Sequence, residues 1–235
     1  MSANAIEAIG WGALAASSLL LGAVIGLARP WPARLVGLVL GFGAGALISA
    51  VTFELAEDGV AIGGAGSVAI GLGLGALTYF VCDGLIERPG KSDAGAALAL
   101  GAFLDGIPEQ LVLGLGIALG DGVSVGLLAA IFVSNLPESI GSATAMRAAG
   151  TERHDVVRLW AGVAGVCTLA TLVGFLVADA SSDALQGGIN GFAAGALLVM
   201  LVDSMIPDAT RQAGRATGLV TTLGFAVAAG LSGVS

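Results

Sequence analysis

Eight apolar stretches, about 6–28, 35–55, 62–82, 95–119, 122–146, 157–178, 186–206 and 216–234, take up almost the whole chain. At about 1.5 Å of rise per helical residue, each is long enough to cross a hydrocarbon layer ~30 Å thick. Charged residues make up 11% of the 235, and the mean hydropathy is +0.96; a soluble domain carries roughly a quarter. So little charge cannot cover a water-facing surface, so lipid has to be the solvent. The expectation is an all-α integral membrane protein: one transmembrane domain over residues 1–235, with eight transmembrane helices.

The breaks between the stretches carry turn chemistry: "RPWPAR" (29–34), "EDG" (57–59), "ERPGKSD" (87–93) and "GDG" (120–122). Every basic residue lies in a break between stretches or at its edge. Arg29 and Arg34 follow the first stretch, Arg88 and Lys91 the third, Arg147, Arg153 and Arg158 the fifth, Arg211 and Arg215 the seventh. With eight spans all nine fall on one side, and the positive-inside rule puts that side in the cytoplasm and both termini outside it. The opposite breaks hold Glu57, Asp58, Asp121, Asp179 and Asp183 without a base. They are either ordinary solvated loops or an acidic vestibule that concentrates cations. The first stretch lacks a basic leader and reads as a true span. The net charge of −8 argues against nucleic-acid partners, and heavy Ala and Gly usage with one lysine, Lys91, points to a prokaryotic inner membrane. Cys82 and Cys167 read as buried small hydrophobes.

An internal repeat is visible. "GFGAGALISAVTFELAED" (41–58) aligns with "GFAAGALLVMLVDSMIPD" (191–208), and the two would cross in opposite directions. Inverted repeats of this kind place a substrate site near the midplane between them. Small residues at Gly37/Gly41/Gly45, Gly22/Gly26 and Gly191/Gly195 read as faces for close helix packing; they permit a homodimer.

Two stretches break the apolar pattern. "FLDGIPEQ" (103–110) and "FVSNLPES" (132–139) share Phe, Pro and Glu at one spacing. Asp105 and Glu109 stand four residues apart on one helix face, as do Ser134 and Glu138, with Asn135 beside them. Pro108 and Pro137 each release a carbonyl, those of Leu104 and Val133. Counted from the 120–122 hairpin, the five polar residues lie between ~17 and ~26 Å along their helices, one layer near the bilayer centre. Carboxylates cost about 2.5–3.5 kcal/mol at that depth on translocon scales, so they face an interior cavity. A cation site, a proton relay, or neutral carboxyls gluing helices together would each account for them; the first is the reading adopted.

These residues resemble those of the ZIP family of divalent-metal transporters. The family's fourth span usually reads His-Asn-x-Pro-Glu-Gly, where this chain has Asp105-Gly106-Ile107-Pro108-Glu109-Gln110; its fifth commonly reads His-(Asn/Asp/Glu)-x-Pro-(Glu/His), here Ser134-Asn135-Leu136-Pro137-Glu138. The resemblance implies a ZIP-like 3+2+3 inverted-repeat bundle with extracytoplasmic termini. It also implies a metal site of Asp105, Glu109, Asn135, Glu138 and Ser134, and a divalent cation carried as substrate, with no tightly bound cofactor. Both family histidines are replaced, by Asp105 and Ser134, and the sixth span offers only Cys167, Thr168 and Thr171 where relatives often carry an acid. An all-oxygen set suits Mg, Ca or Mn better than an imidazole site does, although zinc also binds carboxylates. Asp203 is either an accessory carboxylate or an interfacial polar residue; Glu54 and Asp83 read as helix-boundary residues, and His154 as a solvated loop residue.

Transport of Zn, Mn, Fe or a similar ion toward the cytoplasm is therefore the leading expectation. A non-transporting metal sensor or structural subunit of the same fold, favoured by the missing histidines, and a proton-coupled small-solute carrier are the alternatives. A hydrolase is not expected, because no serine or cysteine has a histidine partner at membrane depth.

Overall fold

The computed structural model describes residues 4–29, 31–86, 94–119, 123–178 and 181–232, with the side chains of 86, 94–105, 119 and 232 set aside. Among the described residues every regular element is helical: α1 (Ala5–Ala28), α2 (Ala33–Ala50), a π-helix π1 (Val51–Glu57), α3 (Asp58–Ile86), α4 (Ala94–Leu119), α5 (Val125–Ala148), α6 (Arg153–Ala178), α7 (Asp183–Met200), a second π-helix π2 (Leu201–Met205), α8 (Ile206–Ala213) and α9 (Ala216–Ser232). The breaks at 87–93 and 120–122, and Asp179, lie outside the described residues.

Five helical stretches are long and apolar enough to cross a membrane: Ala5–Ala28, Ala33–Leu85, Val125–Ala148, Arg153–Ala178 and Asp183–Ala213. Gly106–Ala118 and Ala216–Leu231 are shorter apolar helices. Large apolar side chains such as Ile70, Phe80, Leu169 and Leu219 stand on the outer surface, while the inside mixes alanines and glycines with large side chains such as Trp160, Leu47 and Ile131. That arrangement is an all-α membrane protein, with greasy side chains facing lipid and backbones close together within.

Local chemistry sets the helix ends. Asn4, Ser124 and Ser182 cap α1, α5 and α7, each accepting a backbone N–H of the first turn. At the end of α5, Gly150 adopts φ 95°; its N–H donates to the Arg147 carbonyl and that of Thr151 to Met146. This paired closure needs a left-handed residue, the role glycine fills at low cost. Gln186 Nε2 donates to the carbonyls of Ala178 (3.1 Å) and Ser181 (3.3 Å), tying the end of α6 to α7.

The turn expected at Glu57–Gly59 lies elsewhere. The helix continues through π1 into α3 and is interrupted at Gly64, with φ 82° and ψ 159°. The register against α7 shows what happens there. Gly59 approaches Asn190 and Gly63 approaches Asp183 before Gly64, whereas Val68 meets Gly191 and Leu72 meets Gly195 after it. The chain runs antiparallel to α7 on one side of Gly64 and parallel on the other. Glu54, placed at a helix boundary from sequence, is therefore inside a continuous helix.

The repeat is present in three dimensions. α2 and α7 are each 18 residues long and each leads directly into a π-helix. A Cβ on Gly45 would strike the Thr221 carbonyl of α9, and one on Gly195 the Leu72 carbonyl of α3. Gly224 and Gly75 in turn lie against the carbonyls of Phe42 and Phe192. α2 with α9 and α7 with α3 are thus two copies of one parallel, glycine-seated pair. α1 with α5 and α6 with α4 form a second matched set, seated by Gly22 and Gly26 and by Gly114 and Gly174. Such close approach is how helices associate in lipid, where no hydrophobic force draws them together.

Candidate metal centre

α4 and α5, each with a proline in its interior, pack against each other and against α1, α6, α2 and α7 of the surrounding bundle. Pro108 and Pro137 lie inside their helices without breaking them. Each withdraws one N–H from the helical ladder, leaving a carbonyl four residues earlier without its usual partner. For α5 that carbonyl is Val133's. Gly43 of α2 stands directly over it: a Cβ at Gly43 would lie 3.1 Å from the Val133 oxygen, 3.0 Å from Ser134 Cα and 3.0 Å from Met205 Cε. The missing side chain lets α2 and π2 close on this part of α5.

Three of the five expected residues are buried among the helices. Glu109 is 1% exposed, and Ser134 and Asn135 are each 2% exposed. Glu138, one helical turn beyond Ser134, is half-buried. The side chain of Asp105 lies outside the described residues; its backbone belongs to α4. Ser134 Oγ donates to the Ile131 carbonyl at 3.0 Å, which uses its proton within the helix and leaves its oxygen available as an acceptor. The Asn135 carbonyl accepts from Ser139 Oγ at 2.8 Å, while its side-chain Nδ2 is buried without a hydrogen-bond partner. Among the described residues no third His, Cys, Asp or Glu joins Glu109 and Glu138 closely enough to share an ion with them. Apart from Asp105, the other donors of such a site would have to be amide, hydroxyl and carbonyl oxygens.

Two side chains that sequence reasoning left out belong to this region. Gln110, fully buried, accepts a hydrogen bond at Oε1 from Thr171 Oγ1 of α6, and its Nε2 has no partner. Gly106 lies one turn earlier on the same face, and a Cβ there would be 2.6 Å from Cys167 Sγ. The signal was the stripe Gly106, Gln110, Gly114 at four-residue spacing, matched by Cys167 and Thr171 on α6. In an apolar alphabet, one glutamine between two glycines is easily taken for part of the preceding Pro-Glu motif.

The other polar residues lie apart from this centre. Asp203, in π2, is exposed beside Val202, on the outside of the helices. His154 is exposed, with Nδ1 3.1 Å from Glu152 Oε2 and Nε2 3.0 Å from Asp155 Oδ1. Those three could gather around an ion, but the two carboxylates approach opposite ring nitrogens, the arrangement of a hydrogen-bonded imidazole. Cys82 and Cys167 form no disulfide; Cys167 is buried and Cys82 half-buried.

No protein-family model matches the chain. An Arabidopsis thaliana protein named "Putative zinc transporter" is 30% identical over 190 residues, which cover 75% of this chain and 30% of that protein. The chain thus spans under a third of the length of the curated relative it matches.

Proposed function

We propose that this chain is a ZIP-like transporter that moves a divalent cation such as Zn, Mn or Fe toward the cytoplasm. The observation carrying the reading is Glu109: among the described residues it is the one fully buried acidic side chain, 1% exposed, and it stands beside a helix-interior proline. A buried intramembrane acid is costly enough that it marks an ion or proton path by default. The facing helix supplies buried Ser134 and Asn135 beside its own proline, with Glu138 one turn on. Asp105, Glu109, Ser134, Asn135 and Glu138 are the ligand set, and the name of the plant relative points the same way.

In this reading the chain crosses the membrane eight times in a 3+2+3 arrangement, with its termini outside and its nine basic residues inside. The reversal at Gly64 supports it by dividing the 33–85 stretch into two crossings. The membrane is the cell membrane of a prokaryote. Alternating access follows from one repeat rocking against the other.

The test is uptake of Zn, Cd, Mn, Fe(II), Co, Mg and Ca into proteoliposomes. Wild type should take up at least one ion, and Glu109→Gln and Glu138→Gln should each abolish uptake while melting normally. Normal transport by both variants would end the site assignment. Silence from folded wild type would favour the non-transporting alternative, which the replaced histidines already raise.

A further inference from the structure

We propose that Gln110 is a further ligand of the α4–α5 cation site, tuning it toward ions that prefer oxygen, and that Thr171 is the positioning residue that lets its carboxamide turn. The inference rests on the cation-transport reading above. Gln110 follows Glu109 directly on α4, on the flank of the Asp105–Glu109 face, and it is 0% exposed. A role as helix glue explains only half of the side chain. Oε1 takes the Thr171 hydroxyl proton, but Nε2 is buried with no hydrogen-bond partner. A buried, unmatched donor is unfavourable and rare in native proteins.

The chemistry of Thr171 resolves this. A hydroxyl both donates and accepts, and the two ends of a carboxamide occupy nearly the same volume. Turning the Gln110 amide by half a revolution lets Nε2 donate to Thr171 Oγ1 and brings Oε1 to where Nε2 stood. The threonine proton then has the Cys167 carbonyl, four residues earlier on α6, as its acceptor, a common partner for helical threonine. Gly12 of α1 holds Thr171 from the other side: a Cβ there would be 2.7 Å from both its Cβ and its Oγ1. The hydroxyl is fixed in place while its proton is free to move. With the amide turned, the site gains a neutral oxygen.

A neutral amide oxygen matters unequally to different ions. Mn, Mg and Ca take six or more oxygens, whereas zinc is satisfied by about four ligands. Losing Gln110 should therefore weaken Mn more than Zn.

The experiment uses the full chain: concentration-dependent Mn and Zn uptake in proteoliposomes, with Mn binding in detergent followed by electron paramagnetic resonance. Gln110→Met, of similar volume, should raise the half-saturating Mn concentration about tenfold or more, in the range by which lost ligand support weakens metal sites. Its effect on Zn should be several-fold smaller. Thr171→Val should shift Mn in the same direction, and Thr171→Ser, which keeps the hydroxyl, should restore it. Gln110→Glu, which keeps an oxygen, should retain Mn binding. Equal shifts for both ions, or none, while Glu109→Gln still abolishes Mn binding, would overturn the role of Gln110 and leave the site standing. Absence of Mn binding by a wild type that still takes up Zn would overturn this inference alone, whereas silence of folded wild type across the ion panel would overturn the transport reading as well.

Discussion

Adding one methyl group at Gly45 tests the architecture most directly. Its Cβ would collide with the Thr221 carbonyl of α9 and lie 2.7 Å from the Phe225 nitrogen, where ordinary contact begins at 3.4 Å. Relieving the Phe225 contact alone separates the helices by about 0.7 Å, and the carbonyl demands more. A gap of that order forfeits roughly a quarter to a half of each pairwise attraction along the seam. Overpacking of this kind costs about 1–3 kcal/mol. Alanine's better helix propensity returns up to ~1 kcal/mol. At the middle of that range the net loss is about 1 kcal/mol, which lowers the melting temperature by about 2–4 °C for a chain of this size. Gly195→Ala, its repeat mate against the Leu72 carbonyl, should behave alike. Gly73→Ala and Gly165→Ala, with nothing within 4 Å, should be neutral or slightly stabilising. Thermal melts of the four variants in one detergent read the contrast directly. If Gly45→Ala and Gly195→Ala melt with Gly73→Ala, the glycine-seated pairing of the helices is wrong.

Gly64→Ala should destabilise the chain by about 1–3 kcal/mol, because φ 82° with ψ 159° is backbone territory essentially reserved for glycine, and a lowered melting temperature would register it. Gln186→Leu removes the donor to Ala178 and Ser181 and should cost about 1–2 kcal/mol in the same assay. For topology, Glu152→Cys and Asp183→Cys, both at exposed positions, should label from opposite faces of sealed vesicles with an impermeant maleimide, Glu152→Cys from the cytoplasmic face. Labelling of both from one face would remove the eight-span arrangement.

In the proposed transport reading, Asp105 and Ser134, which stand where the resembled family carries histidine, set the chemistry of the centre. With Asp105 and Ser134 at those positions, and no cluster of three His, Cys, Asp or Glu ligand atoms around Glu109 and Glu138 among the described residues, the proposed donors come down to oxygen. Oxygen donors select by coordination number and charge more than by softness. Neutral oxygens such as those of Asn135 and Gln110 therefore become the residues that can discriminate among ions. In a carboxylate-only centre they would have been bystanders.

Sequence alone determined the solvent and therefore the class. Apolar composition along the whole chain admits lipid and excludes water as its surroundings, and hydropathy reports this residue by residue without any contact being known. Much of the helix layout followed for the same reason: α1 at Ala5–Ala28 and α6 at Arg153–Ala178 lie within a few residues of the stretches read from composition. The Gly41–Asp58 and Gly191–Asp208 repeat was legible too, because shared backbone approaches demand shared small residues.

What only the tertiary structure decided concerns partners. The reversal moved from Glu57–Gly59 to Gly64 because π1 and the start of α3 pack as one helix on α7, and packing overrode the polar turn signal. Which glycines touch a neighbour and which face outward could not be read from a chain with 39 of them. Nor could the Gln110–Thr171 pair, whose members are 61 residues apart in sequence and share only a helix crossing. Periodicity and composition are properties of one segment, but a seam between helices belongs to two, and only the folded chain brings both sides together.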